Sequence, residues 1–228
     1  MTPATSSLSA LEVRIPTRDA LLIGDLVLPP AFAALVLFAH GSGSGRHSAR
    51  NRLVATRLQQ AGMATLLFDL LTAQEEQADL HSAEYRFDIA LLTSRLQDAT
   101  AWAAGQAQLR HAAIGYFGAS TGSAAALIAA ARLGDQVAAV VSRGGRPDLA
   151  GPAVLAAVTA PTQLIVGGAD HGVVALNEAA HERLRCEKSL AIVPGATHLF
   201  GEPGALEQVA ELATAWFSAH MNPLEHTP

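Results

Sequence analysis

Disulfides are the first thing this sequence excludes. Its one cysteine, Cys186, has no possible partner in the chain. A reducing, cytoplasmic setting is therefore expected. Arg185 and Lys188 stand close to Cys186 and would favour its thiolate, but a thiol without a role is the simpler reading. Charge is also scarce. Asp, Glu, Lys and Arg make up 15% of the residues and leave a formal net charge of −5, whereas soluble domains usually hold about 25% charged residues. No basic face or stripe is present, which argues against nucleic acid as a partner. Long apolar runs are missing as well. The longest, Ala31–Ala39, falls far short of the ~20 residues that a membrane helix needs. Met1–Ala10 has neither the basic cluster nor the apolar segment of a signal peptide. The expected partner is a small molecule, with no membrane or nucleic acid, and the chain acting as a monomer or homodimer.

Apolar residues, in contrast, make up 50% of the 228, enough for a large core. One domain over residues 1–228 is the economical reading, with a polar N-terminal stretch of about ten residues and a polar tail from about Asn222. Leu11–Ile15 and Leu21–Leu28 read as an opening hairpin, stopped by Pro29-Pro30. Ala34–Ala39 is continuously apolar, as a strand buried on both faces should be. Strand-like and helical segments then alternate. The strands are placed at Ala64–Phe68, Ala112–Phe117, Val137–Val141, Gln163–Val166 and Leu190–Val193. The helices fall at Arg52–Gln60, Glu84–Ala104, Ser123–Leu133, Ala153–Val158, Val174–Leu184 and Leu206–His220. Such alternation predicts a parallel sheet with helices on both faces.

The chemistry begins at Gly118-Ala119-Ser120-Thr121-Gly122, which is G-x-S-x-G between a predicted strand and a predicted helix. A serine on so sharp a turn stands exposed above the sheet, and the close passage of strand and helix leaves no room for side chains two residues to either side. Serine needs a base to take its proton. In this arrangement the acid and then the histidine follow the serine in the chain. Asp170 and His198 each come just after a predicted strand, where open α/β sheets bind ligands. Asp148, after the preceding strand, is the alternative acid. His171, His181, His220 and His226 are less well placed as the base.

A second loop, His40-Gly41-Ser42-Gly43-Ser44-Gly45-Arg46, follows the strand Ala34–Ala39. Acyl transfer needs N–H groups aimed at the developing oxyanion. One is expected from Thr121 and the other from Ser42 or Gly41. A phosphate-cradling loop fails on spacing, because neither G-x-G-x-x-G nor Gly-Lys-Ser/Thr is present. No His or Cys spacing suits a metal, and no cofactor is expected.

These features together resemble the dienelactone hydrolase family of α/β-hydrolases over about Leu11–Met221. The resemblance implies a mostly parallel sheet of about eight strands with an antiparallel N-terminal hairpin. It also implies a Ser120–His198–Asp170 triad that hydrolyses small esters or lactones. Dienelactone hydrolases proper carry a cysteine nucleophile, and position 120 here is serine. Relatives of this kind include promiscuous enzymes that act on organophosphate triesters. An acyltransferase, or a non-catalytic scaffold that binds a ligand, are the other readings. Only a short segment, Ser142–Ala160, stands where a lid would sit, so no large lid and an open site are expected. Arg46, Arg143 and Arg146 fall on loops at the catalytic edge. They would either bind a substrate carboxylate or phosphate, or hold loops by pairing with Asp148, Asp69 or backbone carbonyls.

Overall fold

The computed structural model describes residues 8–221. The expectations for Met1–Ser7 and for the tail from Asn222 lie outside them. Eight strands form one sheet: β1 (Leu11–Pro16), β2 (Leu21–Val27), β3 (Ala34–Ala39), β4 (Ala64–Phe68), β5 (Ala113–Ala119), β6 (Ala139–Arg143), β7 (Thr162–Gly167) and β8 (Lys188–Val193). Their order is β1-β2-β4-β3-β5-β6-β7-β8. The hairpin β1–β2 is antiparallel, and β2 joins β4 antiparallel, with Gly24 opposite Phe68. From β4 to β8 every pairing is parallel.

The apolar runs behave as their composition requires. Every residue of β3, β4, β6 and β7 is buried, because helices cover both faces of the sheet. On one face lie α1 (Ala49–Gln60) and α7 (Ala205–Met221), packed on Phe38, Phe117, Val141 and Ile165. On the other lie α3 (Ile89–Gly105) and α4 (Thr121–Leu133), packed on Leu37, Leu66, Tyr116 and Val140. The short α5 (Pro152–Ala157) and α6 (His171–Arg183) extend that second layer. Gly62, at φ 84°, ends α1 as its position suggested.

One segment differs from its sequence reading. The expected helix Glu84–Ala104 is divided. A 3-10 turn occupies Tyr85–Phe87, and α3 begins at Ile89 under the cap of Asp88, whose carboxylate accepts the Leu91 N–H at 2.9 Å. Phe87, assigned to the apolar side of that helix, is 57% exposed. An additional helix, α2 (Ala73–Ser82), precedes the turn. It starts with a capping box: Thr72 accepts the Glu75 N–H, and Glu75 accepts the Thr72 N–H. Arg95 of α3, fully buried, then ties α2 down by bonding both carboxylate oxygens of Glu75 at 2.6 and 2.7 Å and the Leu70 carbonyl at 2.8 Å.

Candidate active site

All the loops singled out from the sequence leave the C-terminal ends of parallel strands, so they meet at one edge of the sheet. Ser120 is the hinge between β5 and α4. Its backbone sits at φ 50° and ψ −121°, a region that side-chain-bearing residues occupy only when their surroundings enforce it. Here the enforcement is visible. Ser120 N–H donates to the Arg143 carbonyl at 3.2 Å, and the Ser120 carbonyl accepts from Ser123 and Arg146 N–H, each at 3.1 Å. The flanking glycines follow from the close packing. A Cβ at Gly122 would lie 2.1 Å from the Ala39 carbonyl oxygen, and one at Gly118 2.6 Å from Ser123 Cα.

Asp170 and His198 are brought together by two loops joined through their backbones. Gly168 N–H donates to the Val193 carbonyl at 2.8 Å, and Ala169 N–H to the Ala196 carbonyl at 2.9 Å. The result is a 2.6 Å contact between Asp170 Oδ2 and His198 Nδ1. In the neutral ring, Nδ1 donating to the carboxylate makes Nε2 the acceptor. Asp148, the alternative acid, is instead held by both guanidinium arms of Arg146, at 2.7 and 2.8 Å. Its carboxyl is kept below the ordinary Asp range by that partner. Gly144, next to the Arg143 carbonyl that holds Ser120, lies against His198: a Cβ there would be 3.7 Å from His198 Cε1. Ser120 and His198 thus flank one turn. No hydrogen bond joins their side chains in this structure. Such contacts commonly tighten only when substrate is bound.

The Gly41–Ser42 loop is set by His40, to which the sequence reading assigned no role. His40 is buried. Its Nε2 accepts the Leu70 N–H at 2.9 Å, which requires Nδ1 to carry the proton toward the Gly41 carbonyl at 3.0 Å. Burial lowers its pKa and keeps the ring neutral. Gly41 then lies so close to the hinge that a Cβ would be 2.8 Å from Ser120 Cβ. The N–H groups of Ser42 and Thr121 find no partner among the described residues. Among those residues, no group of three His, Cys, Asp or Glu side chains is placed to hold a metal ion.

The profile of the dienelactone hydrolase family matches residues 28–226. This chain belongs to the dienelactone hydrolase family. A solved dienelactone hydrolase from Anabaena variabilis is 54% identical, with a TM-score of 0.92 over 94% of this chain and 99% of that one. An esterase of Pyrococcus furiosus shares the fold at 18% identity, with a TM-score of 0.79 over 97% of this chain and 95% of that one. A Mycobacterium tuberculosis protein provisionally named a phosphoribosyl transferase is 54% identical over 210 residues. That match takes in 92% of this chain and 46% of the relative, so the chain spans about half the length of the curated relatives it matches.

At this edge of the sheet the arginines separate into two groups. Arg46 is engaged by carboxylates. Its guanidinium is drawn to Asp69 at 2.7 Å and lies near Glu12 and Asp25, so it braces the loop against the strands of the hairpin side. Arg146 is occupied by Asp148. Arg143 is buried, with no carboxylate partner among the described residues; its one side-chain hydrogen bond runs to Asn51 Oδ1 at 3.3 Å.

The connection between β6 and β7 is short, as expected, but α2 and the turn after it wall a groove on the other side. This cavity of about 500 Å³ begins at His40, Gly41 and Ser42 and continues past Leu71, Leu80 and Leu92. It does not include Ser120 or His198; Gly41 is the shared wall. The signal that could have revealed it was Thr72-Ala73-Gln74-Glu75, a capping-box spacing. No membrane-length apolar helix occurs among the described residues.

Proposed function

We propose that the chain is a serine hydrolase of small carboxylic esters or lactones, acting through an acyl-enzyme. The observation that carries this reading is a serine held in a strained hinge beside a histidine that is already paired with a carboxylate. Ser120 Oγ attacks the carbonyl carbon while His198 Nε2 takes its proton. Asp170 keeps the imidazole in the required tautomer and stabilises the imidazolium. The oxyanion is met by the N–H groups of Thr121 and Ser42. Collapse expels the alcohol, which receives the proton from His198; with a lactone, that alcohol stays attached to the acyl group. Water, deprotonated by His198, then releases the acid and restores Ser120.

Serine at position 120 separates this chain from dienelactone hydrolases proper, so the dienelactone itself is not proposed as substrate. Nor is the transferase name carried over. The match takes in 46% of that relative, and more than half of it lies outside. One hydrolase domain over the chain and a reducing cytoplasmic setting fit the same reading.

The test is a panel of p-nitrophenyl esters, small lactones and phosphotriesters, with Ser120→Ala beside wild type. Turnover of esters or lactones should fall by at least ~10³-fold in the variant, which leaves only binding and oxyanion effects. A fluorophosphonate should label wild type at Ser120. Esterase activity that survives Ser120→Ala would refute the proposal.

A further inference from the structure

Two buried side chains beside the hinge take no part in the acyl transfer, yet the fold holds each at a cost. Phe200, two residues after His198, has a left-handed backbone at φ 54° and is buried. A bulky residue stays in that region only where its surroundings hold it. Arg143 ends β6 and is only 6% exposed. It forms no ion pair among the described residues, and its Nε is buried without a hydrogen-bond partner. Burial and the charge of Arg50 push its pKa down to about 10. A buried cation without a counter-charge does not stabilise a fold.

The two side chains meet. The Arg143 guanidinium lies over the Phe200 ring, 5.8 Å from its centroid, close enough for the ring face to attract the cation. The backbone of the same arginine holds the nucleophile. Its carbonyl accepts the Ser120 N–H at 3.2 Å, and Arg146 N–H donates to the Ser120 carbonyl at 3.1 Å. The turn from Arg143 to Arg146 therefore grips Ser120 on both sides of its Cα. That turn is itself fixed: Gly144 N–H donates to the Ile165 carbonyl at 2.8 Å, and Asn177 Nδ2 to the Gly145 carbonyl at 3.0 Å. On the histidine side, Phe200 N–H donates to the Thr197 carbonyl at 3.1 Å. Glu202 accepts the N–H and the hydroxyl of Thr197, at 3.1 and 2.6 Å. His198 thus sits in a closed loop anchored inward by the Phe200 ring. Gly144 leaves the space in which the two loops touch: a Cβ there would be 3.2 Å from the His198 carbonyl oxygen and 3.4 Å from Phe200 Cε2.

We infer that Arg143 and Phe200 are positioning residues that set His198 against Ser120, the first through the backbone of the hinge and the second through the histidine loop, joined by the contact of cation and ring. The inference rests on the ester-hydrolase reading of Ser120. It gives Arg143 no contact with substrate. A proton passes from Ser120 Oγ to His198 Nε2 only while the two loops keep one spacing, and a misplacement of about 1 Å in such a pair costs ~10²-fold. What the fold gains from the buried cation is alignment.

The test combines kinetics on a neutral p-nitrophenyl ester with Tm and with the proton NMR signal of His198 Nδ1. Contact with Asp170 moves that signal downfield, and its absence in His198→Gln assigns it. Arg143→Met and Phe200→Leu should each lower kcat about 10- to 100-fold, with KM within about threefold of wild type, and should broaden or remove the signal. The Tm of Arg143→Met should stay within about 5 °C of wild type, because losing an uncompensated buried charge offsets losing the Asn51 bond. The double variant should be about as slow as one single variant, since both break one contact. Arg143→Lys and Phe200→Tyr keep a cation over a ring and should recover most of kcat. If one of the two disruptive variants fails to fold, the other decides together with its conservative counterpart. An unchanged kcat in Arg143→Met overturns the inference, as does a loss confined to KM, which would make Arg143 a substrate contact. A double variant slowed by the product of the two single effects overturns it as well. If wild type hydrolyses no ester, the Ser120 reading fails separately. The NMR signal then decides, and its persistence unchanged in Arg143→Met overturns the positioning role.

Discussion

Replacing His40 by alanine should damage stability and catalysis together, because this buried ring connects the core to the loop beside Ser120. The substitution leaves the Leu70 N–H without its acceptor in a buried site, at a cost of ~1–3 kcal/mol. Loss of the Gly41 contact adds about 1 kcal/mol, and the vacated ring space a further ~1 kcal/mol. The total is about 3–5 kcal/mol. For a chain of this size that corresponds to a fall in Tm of roughly 6–20 °C. Removing a whole oxyanion donor lowers turnover ~10²–10³-fold. Displacing the Ser42 loop should remove part of that, about tenfold or more in kcat with a smaller change in KM.

The same ring makes a pH prediction. Its folded pKa lies below the ordinary 6.5 because burial disfavours the cation. The unfolded chain therefore takes up a proton at a pH where the folded chain resists it. The stability His40 confers is complete above 6.5 and is lost as pH falls from there toward the folded value. Urea unfolding of wild type and His40→Ala at a series of pH values between about 8 and 5, a window centred on the ordinary His pKa, should show the gap between them narrowing on the acid side. A gap below ~0.5 kcal/mol at the alkaline end, the size of an ordinary surface substitution, would refute the reasoning. So would a gap that does not change with pH.

Asp170→Asn should lower kcat by several orders of magnitude with the fold intact, because the amide no longer selects the productive His198 tautomer. Asp148→Asn should chiefly loosen the Arg146 turn; the reverse ranking, by steady-state kinetics on folded variants, would move the acid role. The groove beneath α2 alters the expectation for acyl length that an open site would give. Each methylene buried along Leu71, Leu80 and Leu92 is worth ~0.8 kcal/mol, about fourfold in kcat/KM. Butanoate and hexanoate esters should therefore exceed acetate, with no further gain at dodecanoate. A flat profile from acetate to hexanoate would show that the acyl chain does not enter the groove.

What the sequence determined alone is local, or repeats along one segment. The continuous apolar runs of β3 and β4 announced strands covered on both faces, since only burial on both sides removes the need for polar alternation. The spacing of Gly118, Ser120 and Gly122 announced the hinge, although the structure shows two causes: a Cβ at Gly118 would strike the helix that follows, and one at Gly122 the end of the neighbouring strand β3. The family resemblance was legible for the same reason, being carried by short motifs. The helix at Ala73–Ser82 was present as a capping box, but its few apolar residues gave no face to detect, and tertiary anchoring by Arg95 holds it. Tertiary structure also decided every pairing of charges. Asp170 meets His198 while Asp148 meets Arg146, and Arg46 pairs with Asp69 while Arg143 has no carboxylate partner among the described residues. Those outcomes depend on how far loops from different strands reach across the sheet edge. Sequence distance does not encode that reach: Arg143 finds Asn51, 92 residues away, and Arg146 the carboxylate two residues on.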